Sequence, residues 1–272
     1  MEWQEYFRGK KITVMGLGLL GRGVGDVEFL AKQGATLIVT DRKSEKELKP
    51  SLAKLRRFKN IRYVLGKHRL EDFRGRDLIL KAAGVPLDSP YVAEAKKQGI
   101  PVDISTALFA LLTKAVVVGI TGTRGKSTVT HLIYHTLKGA LRRGSGHPKG
   151  RVFLGGNVKG VSTLALLPKT KKGDIVVLEL DSWQLQGFGE RKISPHVAVF
   201  TNFMPDHLNY YKGDMKQYFA DKSHIFRYQR KGDVLVAGKG VVRYIVQARL
   251  KLKCKLVVPL PRRPKGWRPK LI

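Results

Sequence analysis

The sequence has little cysteine, few acidic residues and no long apolar run, and each shortage excludes or disfavours some classes of protein. A single cysteine, Cys254, excludes an intramolecular disulfide and offers no cysteine cluster for a metal. No apolar run approaches the ~20 residues that a membrane-spanning helix needs. The N-terminus, Met-Glu-Trp-Gln-Glu, does not resemble a signal peptide. We therefore expect a cytoplasmic protein without membrane insertion.

The shortage of acids leaves a strongly basic chain. Only 21 Asp and Glu stand against 52 Lys and Arg, which gives a formal charge of +31. Such an excess favours binding to polyanions, including nucleic acid. The basic residues are spread along the chain, however, and aromatic residues do not alternate with them as a base-stacking platform requires. We interpret the charge mainly as a solvated basic surface suited to anionic substrates, with nucleic-acid binding as the minority alternative.

The most informative stretch is a glycine-rich turn after an apolar, β-branched run, which predicts a strand over 116–119 that is buried on both faces. The turn, Gly122-Thr123-Arg124-Gly125-Lys126-Ser127-Thr128, leads into a helical pattern. This is the context of a phosphate-binding loop, where backbone N–H groups, a helix N-terminus and Lys126 attract phosphate and Ser127 can bind Mg²⁺. The usual loop has a glycine where Ile120 stands, so the spacing is a variant. The alternative is a glycine-rich turn with an incidental lysine.

A second glycine-rich turn lies near the N-terminus. A strand over 11–15 leads into Gly16-Leu17-Gly18-Leu19-Leu20-Gly21, then a helical pattern and a second strand that ends at Asp41. Gly-x-Gly-x-x-Gly at a strand–helix junction, with an acid at the end of the next strand, is a dinucleotide-type fingerprint. It predicts a site for a nucleotide diphosphate without implying oxidoreduction. A turn that is rich in glycine only for packing is the alternative.

Strands and helices alternate along the chain, which predicts parallel sheets covered by helices. We expect two α/β domains, a Rossmann-like domain over 1–112 and a P-loop-containing ATPase domain over 113–272. In the second domain the pattern predicts helices over 161–167 and 214–228.

Three further residues could carry chemistry, because open α/β sheets bind ligands at the carboxyl ends of strands. Glu179 ends a predicted strand and could hold Mg²⁺ if that strand neighbours the one over 116–119. His207 follows another strand, and Lys222 lies in a predicted helix; each alone is typical of a structural residue. The residues by themselves predict Mg²⁺-nucleotide phosphotransfer or an ATPase, and no substrate.

Taken together, these segments resemble the Mur ligase family. The matching segments are the loop at 121–127, Gly155-Gly156-Asn157, the stretch from Leu178 to Leu185, the stretch from Asn202 to His207, and Lys222, where the family carries a carbamate. The N-terminal Gly-x-Gly-x-x-Gly unit and Asp41-Arg42 are most similar to the D-glutamate-adding branch. Ala83-Gly84-Val85 resembles that branch's Ser-Pro-Gly-Ile loop in degraded form.

The resemblance implies a ligase of peptidoglycan precursor synthesis. It would activate a substrate carboxylate as an acyl phosphate, which the amino group of an amino acid then attacks. ATP and Mg²⁺ are the implied cofactors, and UDP-N-acetylmuramoyl-L-alanine and D-glutamate the implied substrates. The implied catalytic residues are Lys126, His207 and Lys222, and ATP would be bound by residues 122–128 and Asn202. Mg²⁺ would be held by Ser127, Glu179, His207 and Lys222. The UDP-substrate would be bound by Gly18, Gly21, Asp41, Arg42, Asn157, Ser182 and Gln184.

Besides the degraded loop at 83–85, two features depart from the family pattern. Asp181 replaces a serine that lies near the substrate in the family, and an acid beside an anionic substrate needs a cation or metal next to it. The sequence ends at Ile272, about where the family's third domain begins. We therefore expect a monomer that binds nucleotide and ligates poorly by itself. The alternatives are another amino-acid ligase of this family and a non-catalytic nucleotide-binding module.

Overall fold

The computed structural model describes residues 3–142 and 150–259, and its first half forms a five-stranded parallel sheet. The elements are α1 (Trp3–Phe7), β1 (Lys11–Met15), α2 (Arg22–Lys32), β2 (Thr36–Asp41), α3 (Glu45–Leu55), β3 (Ile61–Leu65), a 3-10 helix (Leu70–Phe73), β4 (Leu78–Lys81), α4 (Pro90–Lys97), β5 (Val102–Asp103) and α5 (Ser105–Leu112). The strand order is β3-β2-β1-β4-β5. The chain thus leaves β1 towards one edge and returns on the other side with β4, and ligands bind at such switch points.

The second half forms a six-stranded parallel sheet in the order β11-β10-β9-β6-β8-β7. Its elements are β6 (Val116–Thr121), α6 (Lys126–Arg142), β7 (Val152–Gly156), a 3-10 helix (Leu164–Lys169), β8 (Ile175–Glu179), α7 (Ser182–Arg191), β9 (Val197–Phe200), α8 (Leu208–Tyr211), α9 (Met215–Ser223), β10 (Val234–Ala237), α10 (Lys239–Gln247) and β11 (Lys255–Val257). β6 pairs with β8, with Ile120 opposite Glu179, so the two strands are neighbours, which is the condition set for a Mg²⁺ ion held by Glu179.

Burial on both faces explains the apolar strand sequences. In β6, Val118 and Ile120 pack under the apolar side of α6, whereas Val117 belongs to the core on the opposite face. That larger core continues through α5 to the helices of the first sheet. A side chain added at Gly187 of α7 would lie 3.1 Å from Ala107 of α5, so these two helices pack closely. The two sheets are therefore joined by a shared apolar core, and a boundary at residue 112 stays a prediction.

Two helices differ from their predicted forms. Residues 161–167 do not form an α-helix; a 3-10 helix covers Leu164–Lys169, because Pro168 cannot donate a backbone hydrogen bond and crowds the preceding turn. The predicted helix over 214–228 ends early, at Ser223. There the Ser223 hydroxyl donates to the carbonyl of Ala220 at 2.7 Å, a local bond of the kind that competes with helix continuation.

Within the two described ranges, no helix has the length and apolar character to cross a membrane. Residues 260–272, the end of the predicted second domain, lie outside the part of the chain that the structure describes.

Candidate active site

The phosphate loop connects β6 to the N-terminus of the 17-residue helix α6. Gly122 (φ +154°) and Gly125 (φ +76°) both adopt backbone angles that favour glycine. A side chain at Gly122 would lie 2.0 Å from the hydroxyl of Thr201 at the end of β9. Close packing against the neighbouring strand, in addition to backbone freedom, therefore requires glycine at this position.

Asn202 fixes the shape of this loop. Its side-chain carbonyl accepts a hydrogen bond from the Arg124 N–H at 2.9 Å, and its amide nitrogen donates to the Arg124 carbonyl at 3.0 Å. Its backbone carbonyl also accepts the N–H of Thr123 at 3.0 Å. Asn202, predicted to bind ATP, thus positions the loop, while Ser127 and Thr128 lie exposed at the start of α6.

Lys126 and Lys222 meet at one carbonyl group. Lys126 Nζ donates to the Gly122 carbonyl at 3.1 Å, and Lys222 Nζ donates to the same oxygen at 3.0 Å. Lys222 is 1% exposed; burial, followed by the charge of Lys126, lowers its pKa to about 7. A buried lysine with such a pKa is partly neutral near pH 7, the state that carbamate formation requires.

Glu179 lies at the carboxyl end of β8, beside the end of β6. It is 5% exposed, and its carboxylate has no hydrogen bond or ion pair among the described residues. A buried carboxylate without a partner is costly, and a hard cation is a suitable partner for it. The residues present therefore fit a Mg²⁺ ion held from Glu179, and they fit a nucleotide phosphate through the loop glycines and Lys126.

His207 lies in an aromatic wall beside the loop. Its backbone is left-handed (φ +52°), and its N–H donates to Asp206 at 2.9 Å. Its ring is 4.9 Å from Trp183 and 6.0 Å from Tyr218, measured between centroids. Lys222 Nζ is 5.1 Å from the centre of the Tyr218 ring. The wall Trp183–His207–Tyr218 thus connects Lys222 with α7.

A cavity of about 550 Å³ lies between the carboxyl ends of the two sheets. Of the predicted substrate residues, Gly18, Asp41, Asn157 and Gln184 line it. Trp183 also lines it, so one end of the aromatic wall reaches this cavity. The glycine-rich turn contributes Leu19 and Leu20, both 53% exposed, which is apolar surface available to a ligand.

Asp41 holds the glycine-rich turn in shape. One carboxylate oxygen accepts the backbone N–H groups of Leu17 and Gly18, both at 2.9 Å, and the other accepts that of Lys43 at 2.9 Å. A direct contact between Asp41 and substrate stays a prediction. The geometry gives Asp41 a positioning role, because its carboxylate connects the end of β2 to the turn after β1 through hydrogen bonds.

The second sheet contributes the opposite side of the cavity. The Asn157 side-chain carbonyl accepts a hydrogen bond from Arg22 of α2, across the two sheets. Asp181 and Gln184 form a capping box at the start of α7: Gln184 N–H donates to Asp181 at 2.8 Å, and Asp181 N–H donates to Gln184 at 3.1 Å. Asp181 also lines the cavity.

Three predicted substrate residues do not line the cavity. Gly21 precedes α2 and packs against the second-sheet loop, where an added side chain would lie 3.3 Å from Gly160. Arg42 is exposed beyond β2, and Ser182 is fully buried beneath the start of α7.

Sequence reasoning missed two buried charged groups that line the cavity. Lys81 ends β4 and is 3% exposed, and Asp26 lies on the buried side of α2 and is 7% exposed. The only available signal was a charge in an otherwise apolar pattern, which does not reveal a cavity. Burial raises the pKa of Asp26 to about 6, opposed by its hydrogen bond from Ser162.

Comparisons with known proteins show which family the chain resembles. Residues 120–258 match the Mur ligase middle domain, and residues 10–103 match the Mur ligase MurD-like N-terminal domain. The UDP-N-acetylmuramoylalanine–D-glutamate ligase of Borreliella burgdorferi is 41% identical over 241 residues, covering 88% of this chain and 50% of that protein. The ligase of the same name from Roseiflexus is 39% identical over 227 residues, covering 84% and 46%. The chain spans about half the length of these curated relatives.

A solved structure has the same fold. The UDP-N-acetylmuramate:L-alanyl-gamma-D-glutamyl-meso-diaminopimelate ligase from Neisseria meningitides aligns with a TM-score of 0.56 at 15% identity, covering 92% of this chain and 78% of that chain. At this identity the likeness concerns the fold alone. Because the middle-domain match covers half of the chain and the N-terminal match precedes it, the chain belongs to the Mur ligase family.

Proposed function

We propose that this chain carries the UDP-substrate site and the ATP site of a ligase that joins D-glutamate to UDP-N-acetylmuramoyl-L-alanine. In this proposal residues 1–112 bind the UDP-substrate and residues 113–272 bind ATP and Mg²⁺, in a cytoplasmic monomer. The choice of substrates follows the names of the relatives that are 41% and 39% identical to the chain.

One observation supports the proposal most directly: the aromatic wall extends from the cavity to Lys222, beside the phosphate loop. Trp183 lines the cavity, its ring contacts His207, and Tyr218 continues this wall to Lys222. Burial lowers the pKa of two lysines, Lys81 of the cavity and Lys222 beside the loop, and the charge of Asp181 opposes that shift at both. A substrate in the cavity could therefore direct its free end towards a nucleotide phosphate at the loop.

The proposed chemistry uses the side chains that meet there. The substrate carboxylate attacks the terminal phosphoryl group of ATP, which gives an acyl phosphate and ADP; the amino group of D-glutamate then displaces phosphate. Lys126 would neutralise charge on the transferred phosphoryl group. Ser127, Glu179, His207 and a carbamate on Lys222 would hold Mg²⁺, which neutralises phosphate charge when bound.

Calorimetric titration tests the substrate assignment on this chain. UDP-N-acetylmuramoyl-L-alanine and UDP-N-acetylmuramate are compared in Mg²⁺ at near-physiological salt. Preference for the alanyl form by tenfold or more, about 1.4 kcal/mol, is expected for the D-glutamate step. Equal affinity would contradict the choice of step, and binding of neither, with ATP still bound, would favour a nucleotide-binding module.

The Lys126→Ala variant separates this proposal from the polyanion-binding alternative, which the charge of +31 favours. We expect the variant to lose ATP binding and to keep almost all of its affinity for a polyanion. Polyanion affinity should fall steeply with salt and be indifferent to Mg²⁺-ATP. ATP binding that survives in Lys126→Ala would contradict the assigned loop. Robust D-glutamate-dependent release of ADP by this chain would contradict the expectation that it ligates poorly alone.

A further inference from the structure

We infer that Lys81 is a ligand-binding residue of the cavity, whose ammonium group binds the diphosphate of the UDP-substrate. The inference rests on the proposed function and extends it to a residue outside the motifs that the sequence matched. Four observations support it: the position of Lys81 in the sheet, its burial, the hydrogen bonds that it makes, and the occupation of the other charged groups nearby.

Lys81 stands at the switch point of the first sheet. It is the last residue of β4 and pairs in register with Met15, the residue before the glycine-rich turn. The chains after β4 and β1 remain in contact, because a side chain added at Gly16 would lie 2.9 Å from the Cβ of Ala82. Lys81 therefore adjoins the turn whose glycine pattern predicts a nucleotide diphosphate.

Lys81 is a buried cation without a carboxylate partner. It is 3% exposed, and among the described residues no carboxylate oxygen lies within 4.0 Å of its Nζ. Nζ donates to the carbonyl of Val85 at 2.7 Å and, at the limit of a hydrogen bond, to that of Ala83 at 3.5 Å. An ammonium group has three N–H donors, so at least one remains for a ligand. Desolvation lowers its pKa to about 8, and an anion in the cavity would offset that cost.

The other buried charged side chains that line the cavity, Asp26 and Asp41, are acids that already accept hydrogen bonds. Arg22 donates to Asn157, and both carboxylate oxygens of Asp41 accept backbone N–H groups. Asp26 accepts the hydroxyl of Ser162 at 2.6 Å. Helix α2, in contrast, has no side-chain cap, so the N–H groups of its first turn can bind an anion. The N-terminus of α2 and the ammonium group of Lys81 both offer N–H groups that can donate hydrogen bonds to an anion. A diphosphate carries enough oxygen atoms to accept from both.

The alternative is that Lys81 only holds the loop at 82–86 through the Val85 carbonyl. Titrations with uridine diphosphate and with uridine separate the two roles, because only the first ligand carries phosphate. We expect Lys81→Met to weaken uridine diphosphate binding about 10- to 100-fold, as for a lost hydrogen bond between charged groups, and uridine binding less than twofold. An equal loss for both ligands, or no loss for either, would overturn the inference.

Two matched variants complete the experiment. Lys97→Met removes an exposed lysine from α4 of the same sheet and should leave both affinities unchanged. Lys81→Gln keeps a donor for the Val85 carbonyl without the charge, so a loss of uridine diphosphate affinity like that of Lys81→Met would support a charge contact. If Lys81→Met does not fold, Lys81→Gln decides the result.

The unaltered chain distinguishes failure of this inference from failure of the proposed function. If it binds no uridine diphosphate, the proposed substrate site fails and the inference fails with it. If it binds uridine diphosphate and both Lys81 variants bind equally well, the proposed function stands and only the role of Lys81 is refuted. ATP binding by each variant, measured in parallel, checks that the second sheet is intact.

Discussion

At the scale of single residues, burial of a carboxylate beside the cavity carries a stability cost. Asp26 is an acid whose pKa rises to about 6 on folding, because burial outweighs its hydrogen bonds from serines. The folded state then holds its proton more tightly than the unfolded chain does, from an ordinary pKa of 3.8. The penalty is absent below about pH 4, grows between pH 4 and 6, and is complete above pH 6.

Asp26→Asn should therefore stabilise the protein at neutral and alkaline pH. About two pKa units correspond to about 3 kcal/mol, so we expect a gain of about 1–3 kcal/mol at pH 8 that disappears near pH 4. Denaturant unfolding at both pH values measures it. Glu28→Gln is the control on the same helix, because a hydrogen bond from Lys32 lowers the pKa of Glu28 and its loss should not stabilise. A less stable Asp26→Asn at pH 8 would contradict the argument.

Some site residues could be predicted from sequence and others could not, for a physical reason. Lys126 and Glu179 are recognisable because a strand end or a glycine-rich turn marks them locally. Lys81 and Asp26 depend on which strands are neighbours and on what the second sheet covers, and local periodicity contains neither fact. The hydrogen bonds of Asp41 to the turn at Leu17 are also invisible in the sequence, since they join residues 24 positions apart.

At the scale of elements, the phosphate loop contains two glycines with different requirements. Gly122 needs both its backbone angle and the absence of a side chain, whereas Gly125 has a left-handed backbone and open space around it. We expect Gly125→Ala to cost about 1 kcal/mol of backbone strain. Gly122→Ala should cost about 2–3 kcal/mol or more, because its Cβ would overlap Thr201.

Denaturant unfolding of the two variants measures these costs, and a double variant identifies the cause. Adding Thr201→Ala to Gly122→Ala removes the hydroxyl that the new Cβ would meet, so it should recover part of the loss. Equal costs at Gly122 and Gly125, or no recovery in the double variant, would mean that close packing is not what requires Gly122.

The capping box of α7 offers a second test at this scale. Asp181 accepts the N–H of Gln184 and is the residue that departs from the family pattern. Asp181→Ala should lose about 1 kcal/mol of stability, while Asp181→Ser should keep the cap. Thermal unfolding of both variants measures this. If serine destabilises as much as alanine, the contribution of Asp181 comes from its charge in the cavity and not from the cap.

The element pattern could be predicted best where strands are buried on both faces. The apolar runs of β6 and β8 predict those strands to within a residue or two of their bounds. The helices over 161–167 and 214–228 were predicted less well, because Pro168 and a serine–backbone hydrogen bond at Ser223 decide their form. Such local bonds do not alter hydrophobic periodicity.

At the scale of the whole molecule, the cavity exists only while the two sheets hold their relative position. Besides the shared core at α5 and α7, two ion pairs between residues that the structure describes join the sheets. Arg191 of α7 binds Asp103 of β5, whose side chain is fully buried, with an Nε–Oδ1 distance of 2.7 Å. Lys96 of α4 binds Glu190 at 3.0 Å, with both side chains about 40% exposed. The first pair should contribute much more than the second, because exposed ion pairs are screened by solvent.

Arg191→Ala should therefore destabilise the protein strongly, whereas Lys96→Ala should change its stability by less than about 1 kcal/mol. Without Arg191, the carboxylate of Asp103 is buried and unpaired, which costs about 3–5 kcal/mol. Adding Asp103→Asn removes that charge and should restore part of the loss. Unfolding can be monitored by two probes, near-ultraviolet circular dichroism and uridine diphosphate binding. If this ion pair couples the sheets, the two probes should report two separate transitions for Arg191→Ala and one shared transition for Lys96→Ala. A single coincident transition in Arg191→Ala would assign the coupling to the apolar core instead.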